Sequence, residues 1–150
     1  MKRIILVALL ATAALFLAAC SAREVLSAEA FTSRMEAEGH IVEDITDLLN
    51  LPGIETFLVA DLGDFIVEFI VCETEANARS MRSQMQRVLE DERGSFRSYR
   101  ESNVANFHRL TQTTDGRFEA LVRVENTVLL MRAPSENRAD VEAVLSLLGY

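Results

Sequence analysis

Few residues in this chain can carry covalent chemistry. There are two cysteines, Cys20 and Cys72, two histidines, His40 and His108, and one lysine, Lys2. Arginine supplies every other basic residue, so a Schiff-base or lysine-general-base mechanism has nothing to run on past Lys2. The histidines stand 68 residues apart with no ligand nearby at metal spacing, whereas a zinc or catalytic role needs a cluster. His40 follows Gly39 and reads as part of a turn. Glu36, Glu38, Glu43, Asp44 and Asp47 crowd together in sequence but lack the Asp-x-Asp-x-Asp-Gly spacing of a calcium loop, which leaves a solvated acidic face. No Gly-x-Ser-x-Gly, Ser-x-x-Lys, phosphate-loop or dinucleotide pattern occurs. The expectation is therefore no cofactor and no metal. Cys72 has three readings. One is a small buried hydrophobe at the end of a strand. Another is a reactive thiol just ahead of a helix start, where a helix N-terminus lowers a thiol pKa. The third is an intermolecular disulfide.

Cys20 stands in a different setting. Lys2 and Arg3 precede an apolar run, Ile4 to Ala19, broken only by Thr12. Those 16 residues would make about 24 Å of helix. That is short of the roughly 20 residues a spanning helix needs, and it suits the apolar region of a signal peptide. Leu17-Ala18-Ala19-Cys20 closes the run and resembles the lipobox of bacterial lipoprotein precursors. The resemblance implies a diacylglyceryl group on the Cys20 sulfur, removal of residues 1–19, and acylation of the new amino group by a chain such as palmitate. Two or three acyl chains anchor a protein stably where one does not. Lipidation of Cys20 would leave Cys72 without a partner in its own chain, hence the reading of an intermolecular disulfide. The expected location is the extracytoplasmic face of the cell membrane; in a two-membrane cell, Ser21 in place of the family's retention Asp permits outer-membrane sorting.

Removing 19 of 150 residues leaves 131, enough for one domain and too few for the two lobes of a solute-binding protein. Lys2 and Arg3 leave with the leader, so the net charge moves from −8 to −10. That balance argues against nucleic acid, which needs a basic footprint. Residues 20–26 read as the lipidated cysteine and a short tether, reaching about 20 Å if extended, and residues 27–150 as one globular domain.

Three places show a hydroxyl residue ahead of acids, a helix-start signature: Ser27, Thr74 and Ser135. The spacing predicts helices over 28–38, 75–93 and 136–148, stopped by Gly39, Gly94 and Gly149. Strand-like runs fall at 41–45, 54–60, 65–72, 103–111, 117–124 and 127–133, with turn signals at Asp61-Leu62-Gly63-Asp64, Asp115-Gly116 and Glu125-Asn126. The segment 65–72 is apolar on both faces except for Glu68, as a central strand would be. Hairpin-then-helix occurs at 54–93 and again at 117–148. In 117–124, Phe118, Ala120, Val122 and Val124 alternate with Arg117, Glu119, Leu121 and Arg123, which implies one buried face and one wet one. The expected fold is α+β in two layers, a mainly antiparallel sheet with helices packed on one face, in the order α-β-ββ-α-β-ββ-α.

On that fold Glu68, Arg117, Glu119, Leu121 and Arg123 would share the wet face, as cross-strand ion pairs or as a partner surface. Arg79, Arg82 and Arg93 lie on the helix face opposite Met81 and Met85; they would meet phosphate-bearing lipids or wall polymers, or form a mixed solvated face with the neighbouring acids. The stretch Phe31-x-x-x-Met35-Glu36-x-x-Gly39-His40-x-Val42-x-Asp44 is similar to small uncharacterised lipoproteins of Gram-positive, clostridial-type bacteria, a resemblance that brings no activity with it. The resulting expectation is a membrane-anchored extracytoplasmic lipoprotein, non-enzymatic, that binds a protein partner or serves as an envelope accessory. The alternative is a small hydrolase or thiol-dependent enzyme acting on envelope material.

Overall fold

In the computed structural model the described residues are 22–92, 98–114 and 116–150. The lipobox through Cys20, Ser21, and the positions Arg93, Gly94, Arg97 and Asp115 lie outside them. In chain order the elements are α1 (Ala28–Ala37), β1 (Ile41–Asp44), a single-turn α2 (Thr46–Leu49), β2 (Ile54–Asp61), β3 (Ile66–Cys72), α3 (Glu75–Asp91), β4 (Ser98–Val104), β5 (Phe107–Thr114), β6 (Arg117–Val124), β7 (Thr127–Pro134) and α4 (Arg138–Leu148).

Local chemistry explains most boundaries. Ser27 accepts a hydrogen bond from the Ala30 amide at 3.2 Å, and Thr74 from the Asn77 amide at 3.1 Å, so each hydroxyl satisfies an amide that the helix leaves unpaired. Ser135 differs from the expected cap. It opens a 3-10 turn over Ser135–Asn137 with no side-chain cap bond, and α4 begins only at Arg138. The run expected at 103–111 is two strands, β4 and β5, joined at Ala105-Asn106, where Ala105 holds a left-handed φ of 51°.

All seven strands form one antiparallel sheet in the order β1-β2-β3-β7-β6-β5-β4. Helices cover both faces, which corrects the expected two-layer arrangement with helices on one side. On one face α1 and α4 pack Phe31, Met35, Val141, Val144, Leu145 and Leu148 against Phe69, Phe118, Val122, Leu129 and Met131. Phe31 stacks on Phe69 with ring centroids 4.7 Å apart. On the other face α3 packs Ala78, Leu89, Met81 and Met85 over Phe57, Ile70, Leu110, Leu121, Val128 and Leu130. The two hairpin–helix units therefore send their helices to opposite sides.

Residues 22–26 are not a free tether. Leu26 is buried in the core with Val25 against it. The Arg23 amide donates to Asn106 Oδ1 at 2.8 Å, and Asn106 Nδ2 returns a bond to the Arg23 carbonyl, also 2.8 Å. The Arg23 guanidinium lies over the Phe107 ring and donates to the Gly149 carbonyl at 2.6 Å. The chain is thus clipped to the β4–β5 turn three residues after Cys20.

Candidate functional site

The five residues expected on a wet face do share one face of the sheet: Glu68, Leu130 and Leu121 are register partners, as are Arg132 and Glu119. Helix α3 covers that face. Leu121 is fully buried, Glu119 is 2% exposed and Arg123 7% exposed, so these three offer no partner surface. Arg117 is exposed and Glu68 half-buried, its carboxyl pushed up by burial against the opposing pull of Arg132. The alternation in β6 was legible, but Glu119 meets the buried Gln112 and Arg123 meets Glu75 of α3, so two of its polar residues lie under the helix and only Arg117 is exposed. Gln112 Nε2, 1% exposed, donates to Glu119 Oε2 at 2.5 Å and to the Leu89 carbonyl of α3 at 3.2 Å.

A polar cleft of about 390 Å³ opens where α3 meets the β4–β5 turn, lined by Arg79, Arg82, Ser83, Asn103, Ala105, His108 and Arg123. Each element has a definite part. Asn103 and His108 face each other across the β4–β5 ladder, and His108 is in turn the register partner of Arg123 on β6. Arg79 and Arg82, three residues apart on α3, come from the same stretch of helix.

The centre of the cleft is a chain of charge-assisted bonds. Arg82 Nε donates to His108 Nδ1 at 3.1 Å, and His108 Nε2 lies 2.7 Å from Glu101 Oε1. A neutral ring protonated on Nε2 satisfies both contacts, a tautomer assigned from its partners. Arg82 Nη2 donates to the same Glu101 oxygen at 3.0 Å, which brings it within 2.5 Å of the ring Nε2. Tyr99 donates its hydroxyl to Glu101 Oε2. Burial holds the His108 pKa below its usual value, with Arg82 and Arg123 adding to the shift and Glu101 opposing it. Hydrogen bonds from Tyr99 and His108, then the charge of Arg82, hold the Glu101 carboxyl down. Arg79 and Arg123 converge on Glu75 Oε1 at 2.6 and 3.1 Å, and Arg123 also donates to the Glu125 carbonyl at 3.1 Å. The Arg79 bond is the largest cause of the lowered Glu75 carboxyl.

Three guanidinium groups thus face two carboxylates, one net positive charge in a chain of net charge −8. The guanidinium groups also have donors to spare. Among the described residues Arg79 and Arg123 each bond through one terminal nitrogen, and Arg82 through Nε and Nη2. That leaves the second terminal nitrogen of each, and Nε of Arg79 and Arg123, without an acceptor among the described residues.

The other candidate residues lie elsewhere. Cys72 is a free, buried thiol whose pKa is raised by burial, the opposite of a thiol activated by a helix N-terminus. His40 sits at the α1–β1 turn, its amide bonded to the Met35 carbonyl at 3.1 Å. Asp44 of the acidic stretch accepts from the Thr46 amide and hydroxyl at 2.9 and 2.5 Å, opening α2. No cluster of three metal-ligating side chains exists among the described residues. Asn103, Glu101 and the partnership of His108 were missed from sequence. Their only early signal was Arg79 and Arg82 on one helix face, and nothing in the order of residues brings β4 and β5 under that helix.

The sequence matches no family model and no curated protein. Among solved structures, a protein described as a GTP binding regulator from Thermotoga maritima is similar in fold, with a TM-score of 0.51 and 12% identity over 85% of this chain and 87% of that one. At that identity the likeness concerns architecture alone. No helix among the described residues is long and apolar enough to cross a membrane.

Proposed function

We propose that this chain is a lipid-anchored extracytoplasmic protein, modified at Cys20, whose domain acts by non-covalent binding at the cleft between α3 and the β4–β5 turn. The observation that carries the binding half is the state of His108. Both ring nitrogens are already engaged, by Arg82 and Glu101, and burial opposes its protonation. A ring so held positions donors and is poorly placed to shuttle protons, since a general base needs a free nitrogen and a pKa near the working pH. The thiol-enzyme alternative draws no support from Cys72, because the thiolate is the nucleophile and burial disfavours it. The anchoring half is supported by the lipobox residues and by the clip that holds Arg23 to Asn106, which keeps the domain near any anchor at Cys20. The test is mass spectrometry of the native protein from membranes. The expected product starts at a diacylglyceryl-modified Cys20, and Cys20→Ser leaves the leader uncleaved. An unmodified thiol at residue 20, or a leader retained on the wild-type product, overturns the anchoring.

A further inference from the structure

We propose that the cleft holds a single phosphate group, as a monoester or diester, among Arg79, Arg82 and Arg123. This rests on the reading of the cleft as a binding site and names what it binds.

The lining is a donor set. It has three guanidinium groups, the Ser83 hydroxyl and the Asn103 amide, and its lone imidazole is spent on Arg82 and Glu101. Arg123 is 7% exposed and His108 3%, so the floor is a fixed, desolvated surface, where a charge-assisted bond counts for more than it does at an exposed arginine. The guanidinium groups reach the cleft from two elements, Arg79 and Arg82 from α3 and Arg123 from β6. Donors arriving from different directions suit a tetrahedral oxyanion, whose oxygens point several ways, better than a planar carboxylate, which two parallel N–H groups satisfy. Glu75 and Glu101 hold the guanidinium groups in place without cancelling them, because three positive charges face two negative ones.

The position of the cleft adds a source. Ala105 lines it, and the next residue, Asn106, is the one that clips the Arg23 backbone. Cys20 lies three residues before Arg23, no more than about 11 Å of extended chain. A bilayer holding residue 20 would present its headgroup phosphates beside this opening, although the domain as a whole is acidic.

The experiment uses the full chain in a maltoside detergent and phosphate-free buffer. Inorganic phosphate is titrated while the arginine side-chain and His108 ring resonances are followed by NMR. In parallel, the protein is co-sedimented with vesicles of phosphatidylcholine alone or mixed with phosphatidylglycerol. The expected result is a saturable shift at Arg79, Arg82, Arg123 and His108, with about tenfold weaker binding in Arg79→Gln and partial recovery in Arg79→Lys. Arg79 suits the test because its side chain is 64% exposed, so its loss leaves the packing intact; an unchanged circular dichroism spectrum checks this. Stronger co-sedimentation of the wild type than of Arg79→Gln with phosphatidylglycerol vesicles, an acyl anchor at Cys20 being common to both, supports a headgroup as the source. Binding to phosphate alone supports a free or soluble phosphate. No saturable response to either probe overturns the proposal, and so does wild-type affinity in Arg79→Gln. Equal affinity for succinate removes the phosphate class while leaving a binding cleft. The phosphate arm is independent of lipidation, so failure of the Cys20 modification leaves it readable.

Discussion

Replacing Gln112 by Leu tests whether the polar residues of β5 and β6 belong to the interior. Gln112 is 1% exposed and Glu119 2% exposed, beneath α3. The Gln112 amide donates to the Glu119 carboxylate and to the Leu89 carbonyl. A hydrogen bond to a charged group is worth about 1.5–3 kcal/mol and one to a neutral carbonyl about 1 kcal/mol. Leucine's added apolar burial returns about 1 kcal/mol. The net expectation for Gln112→Leu is a loss of about 1.5–3 kcal/mol, or a Tm lower by roughly 5–15 °C for a domain of this size. Glu119→Leu takes one acceptor from the neutral Gln112 amide, which keeps the Leu89 carbonyl, and should cost about 1–2 kcal/mol. The double variant removes both ends of the bond, so its cost should fall short of the sum by about 1.5 kcal/mol or more. Urea unfolding of the four proteins reads these values directly. A Gln112→Leu cost under about 0.5 kcal/mol, the usual size for exposed positions, or strict additivity in the double variant, would refute a buried pair beneath α3.

Three further outcomes follow from the same geometry. Arg117→Ala should change stability by less than about 0.5 kcal/mol, whereas Arg123→Met should cost about 1–2 kcal/mol; a stranded-charge cost of 3–5 kcal/mol is not expected, because Glu75 is 42% exposed and keeps Arg79. Stability should decline as pH falls below about 6.5, because unfolded His108 takes up a proton that the buried ring disfavours; chemical denaturation between pH 7.5 and about 5 should show the decline, and His108→Gln should flatten it. The lowered carboxyls of Glu75 and Glu101 add a further loss at more acid pH, where protonation removes stability present above about pH 4.5. Cys72 should react with a thiol reagent at the rate of global unfolding and not before; full labelling under native conditions on a faster timescale would reopen the thiol chemistry.

The elements that could be read from the chain were those fixed by near neighbours. Ser27 and Thr74 cap the helices they precede, and Gly149 ends α4 at a φ of +89°. Gly63 closes the β2–β3 turn, its amide bonded to Asp61 Oδ1 at 2.8 Å. Those choices involve atoms within four residues of each other. The layer arrangement was misread because alternation in one strand says which residues share a face and does not say what lies over that face. The signal for two covered faces was present in β7, where Leu129 and Met131 point one way and Val128 and Leu130 the other, all of them buried.

The sequence by itself determined the candidate lipid attachment at Cys20, the acidic balance, the scarcity of lysine and histidine, and the positions of the three long helices, since each depends on composition or on local backbone hydrogen bonding. Tertiary structure alone decided that α3 and α4 cover opposite faces, that Glu119 and Arg123 are interior, and that Arg82, Glu101 and His108 meet. These residues lie up to 26 positions apart in the chain and touch because β4 and β5 return beneath α3, a pairing set by how the whole sheet buries its two apolar faces at once.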